Sequence, residues 1–262
     1  MLLPNSLYST NIFYHYINIF NCFQQKEYKA TIDGTIASKG SSIRGASQVL
    51  ACSFLATILS LVHAFYCGKE RSVVFDDDST DIVLLSSRLT CGIIAHHATC
   101  LADTLASEMG ILSKSSPRLI TTWKSVPSGT NGGVTGIGFF WSAMGGLIIG
   151  ISTLLFDFIS GIDFSETRTN IDNISYVIRI LMYSLTCGLL GSIIDSLLGA
   201  TVQQSFFDPD TKKIYQEEDR RPKTAALVVT YSANLLTNEL VNLVSVVVTT
   251  FLGGFVLAPL FF

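Results

Sequence analysis

Two carboxylates stand inside long apolar runs: Asp103 in ADTLAS (102–107) and Asp195 in IDSLLGA (194–200). An acid at the centre of a bilayer costs roughly 2.5–3.5 kcal/mol on insertion scales, so such groups face a bundle interior or a cavity. The two motifs share the pattern Asp–Thr/Ser–Leu–x–Ser/Gly and read as a short parallel repeat. Asp103 and Ser107 lie four residues apart and share a helix face, as do Asp195 and Gly199. Ser196 follows Asp195 directly. Glu108, five after Asp103, points well away; it joins Asp103 on one cation only if the helix unwinds near Gly110. Asp103 and Asp195 are the expected ligands of a hard divalent cation, Mg²⁺.

The segment GILSKSSPRLITTWKSVPSGTNGGVTG (110–136) carries Lys114, Arg118 and Lys124 and no acid after Glu108. It ends in Gly129, Thr130, Asn131, Gly132 and Gly133. Glycines allow backbone N–H groups to turn toward an anion, and a following helix N-terminus favours negative charge. No Lys-Ser/Thr follows the glycines, so this is not a Walker A loop. Opposite the two carboxylates, the expectation is phosphate held by the loop and its basic residues, bridged by the metal. Asn238, Glu239 and Asn242 open the last apolar run, and Arg44 and Gln48 precede the first. His96 and His97 are adjacent and point about 100° apart on a helix, which suits packing better than chelation of one ion.

The elements that hold these groups are membrane helices. Of 262 residues, 48% are hydrophobic and 14% charged, against about 25% charged in soluble domains. Five runs are long enough to span a bilayer: 46–66, 82–107, 134–159, 174–201 and 238–262. The expected fold is all-α, a polytopic integral membrane helix bundle. The aromatic stretch NIFYHYINIFNCF (11–23) reads as an interfacial helix or the remnant of a span. No basic n-region or small-residue cleavage site opens the chain, so no signal peptide is expected. Net charge is −3, which says nothing about nucleic acid; no basic face interleaves with aromatics, so no nucleic-acid partner is expected. Six cysteines include no CxxC and read as small apolar fillers. Ser184, Gly188, Ser192 and Ser196, and Gly146 and Gly150, recur every four residues and suit close helix contact.

Lysine and arginine counts in the connecting segments alternate 4, 2, 3, 1, 5. Excess basic charge marks the cytoplasmic side. The N-terminus and the loops 108–133 and 202–237 are therefore expected in the cytosol, with DPDTKKIYQEEDRRPK (208–223) as a hairpin or disordered loop there. Asp103, Asp195, Asn238 and Asn242 then lie at one depth near that side. A kinase needs its polar groups together on the nucleotide's side; a transporter needs access from both.

The blocks ADTLASEMGILSKSSPRLITTWKSVPSGTNGGVTGIG, GSIIDSLLGATVQ and NELVNLVSV resemble the transmembrane protein 19 family. That family groups integral membrane proteins of largely unassigned function and includes plant kinases of phytyl phosphate. Its Asp-Thr-x-Ala-Ser-Glu block is also similar to one in CTP-dependent polyprenol kinases. The resemblance implies a transmembrane domain over 44–262 behind a variable N-terminal region, 1–43. It also implies a CTP- or ATP-dependent kinase of a prenyl phosphate lipid. Asp103, Glu108 and Asp195 would be catalytic, and Lys114, Arg118, Lys124 and Gly129–Gly133 would bind phosphate. Ser107, Ser196, Gly199, Asn238 and Asn242 would support them. The chain departs from the family pattern at Cys52-Ser53, Ala102 and Thr237. A transporter or ion pathway using the same carboxylates, and a non-catalytic protein that kept the fold, are the alternatives.

Overall fold

The computed structural model describes residues 46–68, 71–76, 79–160, 170–210, 213–215, 227–228 and 234–262. The stretch 11–23, the whole of region 1–43, Asp77, Asp78 and most of 211–233 lie outside the described residues. Among the described residues five helices form the bundle: α1 (Ala46–Tyr66), α2 (Asp81–Gly110), α3 (Gly136–Ile159), α4 (Asn170–Val202) and α5 (Asn238–Leu252). The last continues through a π-turn (Gly253–Leu257) into a short α6 (Ala258–Phe261).

Three segments are long and apolar enough to cross a membrane by length and composition: Gly136–Ile159, Ile174–Val202 and Asn238–Phe261. The apolar part of α1, Ser53–Tyr66, is shorter. Helix α2 has 30 residues yet falls short in apolarity, because it carries Arg88, His96, His97 and Asp103. It tolerates them because it is the central helix, packed against α1, α3, α4 and α5. From Ile94 to Ala102 every residue is buried, so no face of that stretch meets lipid. The outer surfaces of the other helices are apolar, with Phe54, Phe140, Ile151, Phe158, Ile178 and Phe251 exposed.

Small residues set the helix spacing where α2, α3 and α4 meet. A methyl on Gly145 would lie 2.7 Å from the Ala102 Cα, and one on Gly146 would lie 2.8 Å from the Leu185 Cα. Gly188 sits between Gly146 and the methyl of Ala102. The core beside this junction holds Ile94, Ala98, Leu101, Ile149, Ile180 and Tyr183. Tyr183 donates its hydroxyl to the Cys91 carbonyl (2.8 Å), which satisfies its one polar atom in that core. Cys67, Cys91, Cys100 and Cys187 are buried and form no disulfide among the described residues.

Among the described residues two short sheets cap one end of the bundle. Strand β1 (Arg118–Leu119) pairs antiparallel with β2 (Gly133–Val134). Strand β3 (Phe206–Asp208) pairs antiparallel with β4 (Lys213–Tyr215) and β5 (Leu227–Val228). The stretch 208–223, expected as a hairpin or disordered loop, enters this sheet through Asp208 and β4; most of the rest of it lies outside the described residues. Asn131 ties the caps together: its backbone N–H donates to Ser205 Oγ (2.9 Å) and its amide to the Gln204 carbonyl (3.3 Å). The loops 108–133 and 202–237 thus meet at the same end of the bundle.

Candidate functional site

A cavity of about 260 Å³ opens at that capped end. Helix α2 lends it Asp103, Ala106, Ser107 and Gly110; α4 lends Ser192, Asp195, Ser196 and Gly199, with Gln203 just past its end; α5 lends Asn238 and Asn242. The segment Ser128–Thr135 and the first turn of α3 close the remaining side. Asp103, Ser107, Gly129, Thr130, Asn131, Gly132, Gly133, Asp195, Ser196, Gly199, Asn238 and Asn242 are therefore brought together from four separate stretches.

Asp195 is held from α5. Ser245 Oγ donates to its Oδ2 (3.1 Å). With its amide nitrogen turned toward α4, Asn242 donates to the same oxygen (3.1 Å) and to the Asn238 carbonyl (3.0 Å). Turned the other way its oxygen would face acceptors only. Both bonds fall on Oδ2. Asp103 emerges from the α2–α3–α4 junction one residue after Ala102, whose methyl fills the space between Gly145 and Gly188. Just below the cavity Ser142 donates to Ser192 across α3 and α4 (2.9 Å).

The glycine segment is shaped by backbone strain in one place and close approach in another. Gly129 and Gly132 have φ of 89° and 72°, which L side chains rarely adopt. A Cβ on Gly132 would also collide with Ala200 on α4. The segment's donors, however, are largely used within the protein. The N–H groups of Thr130 and Gly133 bond the carbonyls of Pro127 and Thr130, and that of Asn131 bonds Ser205. The expected backbone cradle for an anion is thus mostly closed. What the segment presents is a fitted wall that includes Ser128, Thr130 and Asn131.

Four expected residues do not line the cavity. Glu108 stays on another face because α2 runs unbroken to Gly110. Arg118 is exposed because the β1–β2 pairing turns its neighbour Leu119 inward. Lys124 is exposed beyond the turn in which the Trp123 N–H bonds the Leu119 carbonyl (2.7 Å). Lys114 is exposed in a bend where the hydroxyls of Ser113 and Ser115 bond each other (2.9 Å). His96 and His97 are buried edge to face, with ring centroids 5.2 Å apart, and do not reach the cavity.

Ser245, Gln203 and Ser205 were not singled out from the sequence. Ser245 was accessible: Asn238, Asn242 and Ser245 fall on one helical face at spacings of four and three. Gln203 continues the row Asp195, Gly199 at the same spacing of four. The departures from the family pattern leave the cavity intact. Thr237 caps α5 by accepting from the Leu240 N–H (3.4 Å), a role that Asp also serves. Helix α1, which contains Cys52 and Ser53, lends no lining residue among those described.

Two carboxylates, several amides and hydroxyls, and no lysine or arginine line the cavity among the described residues. No group of three or more His, Cys, Asp or Glu gathers among them. That all-oxygen set fits Mg²⁺, which keeps several waters and takes one or two carboxylates alongside phosphate oxygens.

Residues 7–250 match the family described as Integral membrane protein DUF92. The chain is 35% identical to Protein PGR of Arabidopsis thaliana over 205 residues, 78% of this chain and 66% of that protein. It is 33% identical over 113 residues to an uncharacterized membrane protein of Methanocaldococcus jannaschii, covering 43% of this chain and 40% of that one. It is 28% identical over 182 residues to an uncharacterized membrane protein of Synechocystis, covering 70% and 57%. The chain thus spans between 40% and 66% of the length of these relatives. No solved structure matches it. The motif blocks, the apolar helices and the match over most of its length agree: the chain belongs to the DUF92 family of integral membrane proteins, akin to transmembrane protein 19.

Proposed function

We propose that this protein is a Mg²⁺-dependent phosphotransferase that uses CTP or ATP to phosphorylate a prenyl phosphate lipid. The observation that carries the reading is the charge of the cavity: two acids from different helices and no base among the described lining residues. A bare phosphate would be repelled there. A phosphate complexed with a divalent cation would be attracted, so the site selects the metal complex of a phosphate.

Asp103 and Asp195 would hold the metal, which when bound neutralises the donor phosphates and the charge that develops on transfer. The volume, about 260 Å³, is below the roughly 300–1,000 Å³ of pockets that enclose a whole drug-sized ligand. It suits the reacting phosphates, with the base and sugar of the nucleotide lying outside. In the transfer, an oxygen of the lipid phosphate attacks the γ-phosphorus and the bond to the β–γ bridging oxygen breaks. The products are a lipid diphosphate and a nucleoside diphosphate. A phosphate monoester has its second pKa near 6, so the attacking oxygen is already largely deprotonated at neutral pH. No general base is required, and Glu108 has no proton to remove. Asn238 and Ser196 orient the phosphates by hydrogen bonding, while Asn242, whose amide hydrogens go to Asp195 and the Asn238 carbonyl, and Ser107, whose hydroxyl goes to the Thr104 carbonyl, shape the wall around them.

The same acidic cavity supports a second reading, a cation pathway. Against it stands the tight α2–α3–α4 contact at Ala102, Gly145 and Gly188, immediately below Asp103. The test is purified protein with γ-labelled CTP or ATP, Mg²⁺ and prenyl phosphates of increasing chain length. Label passing into a lipid diphosphate, and lost in Asp103→Asn and Asp195→Asn, is the expected result. Cation flux in reconstituted vesicles without any transfer would overturn the kinase reading in favour of the pathway.

A further inference from the structure

Arg88 lies in α2 fifteen residues before Asp103, about 22 Å away along the helix axis. The hydrocarbon layer is about 30 Å thick. With the cavity near one boundary, Arg88 therefore lies toward the other. Its Nε is buried and has no hydrogen-bond partner. Among the described residues no acid pairs with it. Its guanidinium carbon sits 5.4 Å from the centroid of the Phe255 ring. That placement follows from the π-turn: a Cβ on Gly254 would be 2.7 Å from the Arg88 carbonyl, so only glycine lets the last helix pass this close. Phe255 stacks on Phe251, ring centroids 6.2 Å apart, and both are half exposed on the outer apolar surface.

A guanidinium among apolar groups is costly unless an anion meets it. The protein supplies none among the described residues, and the side chain borders the lipid-facing surface. We propose that Arg88, Phe251 and Phe255 form a binding site for the phosphate group of an anionic phospholipid in the leaflet away from the cavity. The planar fork presents parallel donors to the phosphate oxygens. The stacked rings run along the first part of an acyl chain, and the Phe255 face steadies the cation.

The site is tested on the full chain purified in detergent, by native mass spectrometry with phosphatidylglycerol, with phosphatidylcholine, or with sodium phosphate alone. Wild-type protein is expected to retain one phosphatidylglycerol in preference to phosphatidylcholine. Arg88→Gln should lower that retention about tenfold, the loss of a charge-assisted pair. Phe255→Leu leaves the charge in place and should lower it about threefold through the lost ring contact. This second variant keeps the test decisive if Arg88→Gln does not fold. Equal retention of phosphatidylglycerol by wild type and both variants would overturn the proposal, as would retention of the two lipids alike. Sodium phosphate binding in place of the lipid would overturn the assignment to a membrane ligand.

Discussion

Asp195 receives two hydrogen bonds, from Ser245 and Asn242, on the same oxygen. Among the described residues Oδ1 receives none, so the carboxylate is both fixed and still able to bind. Ser245→Ala removes one donor and should cost about 1 kcal/mol of stability, read as a lowered melting temperature in detergent. A ligand at 100 times its Kd stabilises the folded state by about 2.7 kcal/mol. Saturating Mg²⁺ should therefore raise the melting temperature of wild-type protein. Asp103→Asn and Asp195→Asn should each abolish that shift while melting close to wild type without metal. A Mg²⁺-induced shift of equal size in all three proteins would remove the two carboxylates from the metal site. Nucleotide binding should likewise vanish on chelation, since the cavity has no lining base among the described residues to hold the phosphates unaided.

The glycine segment stands on backbone geometry rather than on donors. Gly132→Ala meets both a left-handed φ and the Ala200 collision, and should destabilise by about 2–5 kcal/mol. Gly136→Ala, at the start of α3, meets nothing within 4 Å and should stay within about 1 kcal/mol of wild type. Thermal melts of the pair separate these outcomes. The helices themselves were legible in the sequence as long apolar runs, although among the described residues only three of the five expected spans have both the length and the apolarity to cross a bilayer. The run 46–66 coincides with α1, and 174–201 extends only to 170–202 in α4. The last run, 238–262, is divided by a π-turn, which depends on how closely Gly253 and Gly254 approach α2. The convergence of Asp103 and Asp195 was visible in their repeated motifs and common helix-end position. The outward set of Lys114, Arg118 and Lys124 was not. It depends on the pairing of Arg118 with Val134 across fifteen intervening residues, which local pattern does not encode.

At the level of the whole chain, the caps built by 118–134 and 203–215 share one end of the bundle, whereas Ser79 precedes α2 at the other. Glycosylation acceptors inserted at Thr122 and at Asp210 should therefore behave alike, and one at Ser79 should behave oppositely. By the lysine and arginine count only the Ser79 insertion should be modified; modification at Thr122 or Asp210 would reverse the orientation. Helix α2 raises a different matter, how the protein is made. It is the central element, yet it is not apolar enough by composition to count as a spanning helix, since it carries Arg88, His96, His97 and Asp103. His96 meets Thr250 of α5, Arg88 meets Phe255 of the π-turn, and Asp103 follows the Ala102 contact with α3 and α4, all of which are synthesised later. A nascent chain ending just after α2 has nothing to shield them and should slip back out of the translocon. Extension through α5 and its π-turn should let α2 be retained with them. Integration of this protein is thus expected to be a cooperative event in which the innermost helix is the last to settle.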